Sequence, residues 1–396
     1  MAAQMKPYLV RLERSCGIVI DRRARRWNFT TSAEADAWAA RPDAETIDYR
    51  DAVPPGKRVR FGSPHSLFLD VTSQCQCKCW YCYNRAADDQ PAEMTAGEMS
   101  ALIRRFAAIG GIELRLAGGE PTLRPELLDL IRLADELALR TVLVTNGMIA
   151  EGLLRELARA PVAACYISIQ GDRETHDAAR GRGSYDWCAR SAKFLAAAGA
   201  AVRLSMVFHK RNRHCVEHVA ALAAEMGASA AFNPLRPVGG ATPDDVLGPE
   251  EHRRLVETVV ALRKAYPKTR IDTPWDYLAA PPGPPLTGAY KRIGCGNGGL
   301  TVTASGDCFT CGQACGRPEF CAGNVRREDL RAIWLRSRKS CPLANAELPA
   351  RCNTCPYLYG SACFGGCAVT ALVMRGAADA GDPYCFADLV RGGECA

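Results

Sequence analysis

Nowhere in this 396-residue chain do eighteen apolar residues run together, which excludes a helical membrane span of ordinary length. The opening stretch MAAQMKPYLVRLERS has no apolar core of signal-peptide length, so a cytoplasmic location and no membrane partner are expected. Charge of one sign is scarce as well. Fifty basic residues against 43 acidic ones leave +7 with every cysteine counted as neutral, and metal-bound cysteine is thiolate, so the balance does not call for a nucleic-acid partner. What the chain has in excess is cysteine, 20 residues in all. Without an export signal these are not a disulfide framework, and they point to metal. The remaining composition, 48% hydrophobic and 23% charged, is ordinary for a globular enzyme of two or three domains.

Between residues 66 and 265 six short apolar runs alternate with segments of helical period, the pattern of repeated βα units. The strands are expected at 66–72, 112–117, 141–145, 163–169, 202–208 and 229–234. Helices are expected near 95–109, 125–138, 150–159, 185–198, 214–226 and 249–265, with Thr95 and Glu98 as a capping box. An α/β fold follows, but strand pattern alone does not choose between a partial barrel and a doubly wound sheet. Residues 1–65 read as an N-terminal extension of one hairpin and one helix, with Arg22, Arg23, Arg25 and Arg26 on a solvated turn. The Pro- and Gly-rich stretch 266–294 reads as a linker. Residues 295–396 hold twelve cysteines and little periodicity, so they are expected to fold around metal.

The sequence CQCKCWYC, Cys75 to Cys82, follows the first strand, at the end where βα proteins place active sites. A C-x3-C-x2-C set (Cys75, Cys79, Cys82) supplies three thiolates to a [4Fe-4S] cube and leaves one iron open. With Tyr81 in the aromatic place, this loop resembles the signature of the radical S-adenosylmethionine (SAM) superfamily. That resemblance implies a partial (β/α)6 barrel in which SAM chelates the open iron and is cleaved to a 5'-deoxyadenosyl radical. Cys77 is a departure, taken as a bystander. Later turns agree in order with the family. Gly118-Gly119-Glu120-Pro121 is similar to its GGEP motif, which implies that Glu120 holds the SAM ammonium. Asn146, Ser168 and Arg180 are the implied ribose and carboxylate contacts. Gln170 stands where many relatives carry Asp, and His176 reads as a structural turn residue.

From Cys295 onward the spacing is similar to a SPASM domain, the auxiliary-cluster extension of radical SAM peptide-modifying enzymes. The resemblance implies auxiliary cluster I on Cys295, Cys311 and Cys367, and cluster II on Cys352, Cys355, Cys363 and Cys385. Cys308 is the preferred fourth ligand of cluster I, with Cys315 and Cys321 as alternatives. Two zinc sites are the competing reading of this region. Three [4Fe-4S] clusters and SAM are thus the expected cofactors.

Local motifs most resemble the mycofactocin and pyrroloquinoline quinone branch. Oxidative modification of a ribosomally made peptide is the first expectation, with a flavodoxin or ferredoxin as electron donor. Sulfatase maturation is disfavoured because Gly312 follows Cys311. One hairpin and one helix are too little for a whole leader-binding module, so a separate leader-binding protein is an expected partner. A dehydrogenase or epimerase of a small metabolite such as an aminoglycoside is the second reading, with Cys165, Cys188 or Cys215 as hydrogen donor. A non-catalytic electron-transfer protein is the third.

Overall fold

The computed structural model describes residues 5–14, 16–51, 61–84, 92–274, 276–279, 298–340, 348–358, 363 and 365–390. Its N-terminal part is more than a hairpin. Strands β1 (Tyr8–Leu12), β2 (Gly17–Asp21) and β3 (Arg26–Thr30) form an antiparallel meander, helix α1 (Ser32–Ala39) follows, and β4 (Ala44–Asp48) returns parallel to β1. Helix α1 starts without a loop because Thr31 and Glu34 form a reciprocal capping box. It lies so close to β2 that a Cβ at Gly17 would sit 2.1 Å from the Ala35 Cβ. Strand alternation then sorts the apolar side chains. Val10 and Leu12 pack with Ala35 under the helix, whereas Leu9, Ile18 and Ile20 pack with Phe61 and Ile112. In the arginine turn Arg23 and Arg26 are exposed, while Arg22 pairs with Glu45 and Arg25 with Asp135.

Arg11 shares the barrel-facing side of β1 and is fully buried. Its guanidinium donates to the carbonyls of Gly110 (3.0 Å) and Ser63 (2.8 Å) and pairs with Glu13, whose other oxygen accepts the Gly62 N–H at 2.7 Å. This network fastens the N-terminal sheet to the barrel.

All six expected strands form: β5 (Ser66–Asp70), β6 (Glu113–Ala117), β7 (Arg140–Thr145), β8 (Ala164–Ser168), β9 (Val202–Phe208) and β10 (Ser229–Pro234). They are parallel and lie side by side in chain order, without the reversal that a doubly wound sheet requires. The expected helices also form, as α2 (Ala96–Ala108), α3 (Leu127–Glu136), α4 (Glu151–Leu157), α6 (Ser184–Ala197), α7 (Val216–Glu225) and α8 (Pro249–Ala265). Sequence periodicity missed α5 (Arg173–Arg180), which is polar apart from buried His176 and Ala179. Leu67, Leu114, Leu116, Leu143, Ile167 and Leu204 form the sheet side of the core, against Leu102, Phe106, Leu130 and Ile131 from the helices.

The sheet does not end with these six strands. β11 (Ile271–Asp272) adds to β10, so the expected linker begins as part of the fold; Asp272 pairs with Arg203 at 2.7 Å and anchors it there. On the other side β12 (Gly299–Val302) pairs parallel with β5, followed by β13 (Asp307–Phe309) and β14 (Gly323–Asn324). Helix α9 (Leu330–Ser340) places Leu330, Ile333 and Trp334 in the main core. Part of the cysteine-rich region therefore folds by ordinary apolar burial. Its strands are too short to show a period. No helix among the described residues is long and apolar enough to cross a membrane.

Candidate active site

The turns after β5 to β10 converge on one cavity of about 420 Å³. Cys75, Cys77, Cys79, Tyr81 and Cys82 line it from the first turn, and Gly118, Gly119, Asn146, Ser168 and Arg180 from the next three. The two glycines serve the cysteine loop itself. A Cβ on Gly118 would fall 2.3 Å from the Thr72 carbonyl oxygen, and one on Gly119 2.2 Å from that of Gln74. With no Cβ at Gly118 or Gly119 in the way, the Gly119 and Glu120 N–H groups donate to those carbonyls, each at 2.8 Å.

Glu120 is fully buried behind these glycines. Its carboxylate accepts from the Thr122 and Thr145 hydroxyls (2.7 and 2.6 Å) and from the N–H groups of Asn146 (2.7 Å) and Thr122 (3.2 Å). Burial raises its pKa, and these hydrogen bonds oppose the rise. The carboxylate thus ties the turn after β6 to the turn after β7.

The Asn146 amide reaches the Cys75 sulfur at 3.8 Å, and Arg180 donates to the Ser168 carbonyl at 3.1 Å. Arg180 is cationic although burial opposes its charge, because Tyr81, Cys79 and Cys77 lie close by. Hydrogen bonding from the Cys77 thiol is the main cause that holds Cys75 down to about 7 and Cys79 to about 5; Arg180 adds to the effect on Cys79. Cys77 is buried, with its sulfur 3.6 Å from that of Met148. Gln170 lines the cavity and accepts the Val207 N–H at 3.1 Å. His176 accepts the Gln170 N–H at 3.1 Å and is kept neutral by burial, with a pKa of about 3.

Several lining residues escaped the sequence reading. Tyr83 and Asn84 follow the cysteine loop directly, and that adjacency was a usable signal. Gln313 comes from the C-terminal region, two residues past Cys311, with no motif to mark it. These three also line a second cavity of about 730 Å³ that includes Cys315 and Cys321. Cys165, Cys188 and Cys215, weighed as hydrogen donors, lie in the main core and not on the first cavity's wall.

In the C-terminal region Cys352, Cys355, Cys363 and Cys385 line one small cavity together with Arg351 and Asp382. Cys311 and Cys367 share an apolar cluster with Phe309 and Cys315, and half-buried Arg236 lies near both. Cys295 lies outside the described residues. Cys308, on β13, pairs in register with Val302 and is fully buried in the main core, whereas Cys315 shares an apolar cluster with Cys311 and Cys367.

Asp70, the last residue of β5, is buried and accepts from the Asn84 amide at 3.1 Å. Burial pushes its carboxyl up to about 7 from an ordinary 3.8. A raised carboxyl costs nothing below the unfolded value, and its cost is complete once pH passes the folded one. Stability should fall by about 1.4 kcal/mol between pH 6 and 8 through this residue. Denaturant titrations at both pH values should show that loss in the parent and lack it in Asp70→Asn.

Comparison with known proteins places this geometry. Residues 69–223 match the sequence profile of the radical SAM superfamily. The AdoMet-dependent heme synthase of Oleidesulfovibrio alaskensis is 30% identical over 349 residues, covering 82% of this chain and 88% of that protein. This chain belongs to the radical SAM superfamily. The PqqA peptide cyclase of Rhizobium meliloti is 29% identical over 346 residues, covering 83% and 88% of the two chains. The crystal structure of Streptococcus suis SuiB bound to S-adenosylmethionine has the same fold, with a TM-score of 0.73 at 18% identity over 97% of this chain and 98% of that one.

A radical SAM enzyme works with a [4Fe-4S] cluster and SAM, and the cavity's residues fit both. Its wall carries thiols at C-x3-C-x2-C spacing, and its volume lies in the range of small-molecule sites. Arg180, half-buried on the cavity wall, supplies a cation for a carboxylate.

Proposed function

We propose that this radical SAM enzyme oxidatively modifies a ribosomally made peptide, installing a thioether, a carbon-carbon crosslink or a related oxidation. Cys75, Cys79 and Cys82 hold the [4Fe-4S] cluster, and Gly118, Gly119, Asn146, Ser168 and Arg180 form the SAM site. Cluster and SAM together supply the 5'-deoxyadenosyl radical that abstracts a substrate hydrogen. Arg180 receives the SAM carboxylate. Glu120 acts as a positioning residue through Thr145 and Asn146, and the half-buried Tyr81 ring shields the thiols from water.

The observation that carries this reading is the pair of cavities with a shared wall at Tyr83, Asn84 and Gln313. The larger one offers an extended substrate room beside the SAM site. Likeness to the PqqA peptide cyclase over most of both chains supports a peptide. Cys295, Cys311 and Cys367, with Cys315 as fourth ligand, hold auxiliary cluster I, and Cys352, Cys355, Cys363 and Cys385 hold cluster II. A flavodoxin or ferredoxin supplies the electron. The N-terminal sheet, with β3 at one edge, suits an extended peptide better than the single hairpin expected from sequence; a separate leader-binding protein is the alternative.

Likeness to the heme synthase favours a second reading, a small-molecule substrate. Anaerobic protein with SAM and reductant should form 5'-deoxyadenosine. Co-expression with short open reading frames beside this gene, followed by mass measurement, should reveal a peptide lighter by two hydrogens. SAM turnover that depends on a small metabolite and on no peptide would establish the second reading. No 5'-deoxyadenosine with all clusters loaded would leave an electron-transfer protein.

A further inference from the structure

Outside the cavities, the turns after β8 and β9 bring three metal-binding side chains together. The ligand atoms of Asp172, His214 and Cys215 all lie within 4.8 Å of one another. They come from two separate segments. Asp172 caps α5 with one oxygen, which accepts the Thr175 N–H at 2.9 Å. Its other oxygen lies 3.8 Å from the Cys215 sulfur. Tetrahedral zinc with one sulfur and one oxygen ligand separates the two by roughly 3.5 Å, so this edge needs little adjustment. The sulfur also has a reserved place: Gly171 has φ +140, and a Cβ there would fall 2.7 Å from it. Cys215 is buried while His214 is exposed, which gives an ion a path in from solvent. His218, one helical turn beyond His214, lies near enough to stabilise the Asp172 carboxylate, but its Nε2 meets the Tyr185 hydroxyl at 3.0 Å. It stands beside the site as a neighbour.

We propose that Asp172, His214 and Cys215 bind a zinc ion, with solvent in the fourth position. A mixed N, O and S donor set favours zinc over magnesium or calcium, which take oxygen ligands. The ion would hold two segments of the fold together. It joins the N-terminus of α5, whose last residue Arg180 lines the SAM cavity, to the turn that leads into α7. The site is separate from the iron-binding thiols and does not depend on what the enzyme modifies.

The test uses the fully iron- and sulfide-loaded enzyme, so that no empty cluster site takes up zinc. After incubation with zinc sulfate and desalting, elemental analysis should find about one zinc per chain. The amount should fall by about tenfold or more in Cys215→Ser and in His214→Ala, with iron unchanged. The exposed His214 makes its variant informative without a risk to folding. X-ray absorption at the zinc edge should show a single sulfur among nitrogen and oxygen neighbours. Absence of retained zinc, zinc undiminished in His214→Ala, or a zinc surrounded by four sulfurs would each overturn the proposal.

Discussion

Cys79→Ala should lose the iron of the radical cluster and with it SAM cleavage, whereas Cys77→Ala should keep both. The two residues share a loop and a cavity wall, so the pair separates ligand from neighbour with little difference in folding. Removal of a direct ligand should lower 5'-deoxyadenosine formation by more than the 10- to 100-fold, roughly, that loss of a ligand's hydrogen-bond partner costs a metal site. Iron analysis and the cluster's electron paramagnetic signal after reduction give readouts besides turnover. The spacing argument for Cys75, Cys79 and Cys82 fails if Cys77→Ala loses the radical cluster's signal and Cys79→Ala retains it.

The second large effect is expected far from the chemistry. Glu13→Ala leaves Arg11 buried with its charge uncompensated and the Gly62 N–H without its carboxylate acceptor. Breaking a buried pair from one side costs about 3–5 kcal/mol. The double replacement Arg11→Met with Glu13→Leu removes both charges and should recover much of that loss. Thermal unfolding monitored by circular dichroism should rank parent, double variant and Glu13→Ala in descending order. If Glu13→Ala melts with the parent, the N-terminal sheet is held by its apolar contacts alone.

The six barrel strands were legible because each is a short apolar run in which buried residues recur at every second position, as Leu67 and Leu69 or Leu114 and Leu116 do. The active-site wall was legible for a different reason. Its cysteines and glycines are contiguous in sequence, and each group follows a strand. What could not be read is long-range. Gln313 reaches the first cavity from the far side of the sheet, and β12 and β11 are four and two residues long. Arg11 looked like an ordinary strand residue. Its burial depends on Ser63 and Gly110, which no local pattern connects to it. Cys308 is another long-range case, since its burial in the main core comes from a three-residue strand too short to show a period.

The pairing of β12 with β5 has a consequence for how the protein is made. In chain order β5 is the first strand of the barrel, and it would be a bare edge if the barrel stood alone, open to pairing with any passing strand. Its protector, β12, follows only after all six barrel strands and β11 in chain order. Until that late segment is synthesised and docks, the strand leading into Cys75 stays uncovered on one side. A nascent chain therefore carries an unpaired strand edge beside its first cysteine loop, open to pairing with other chains. Docking of β12 closes it.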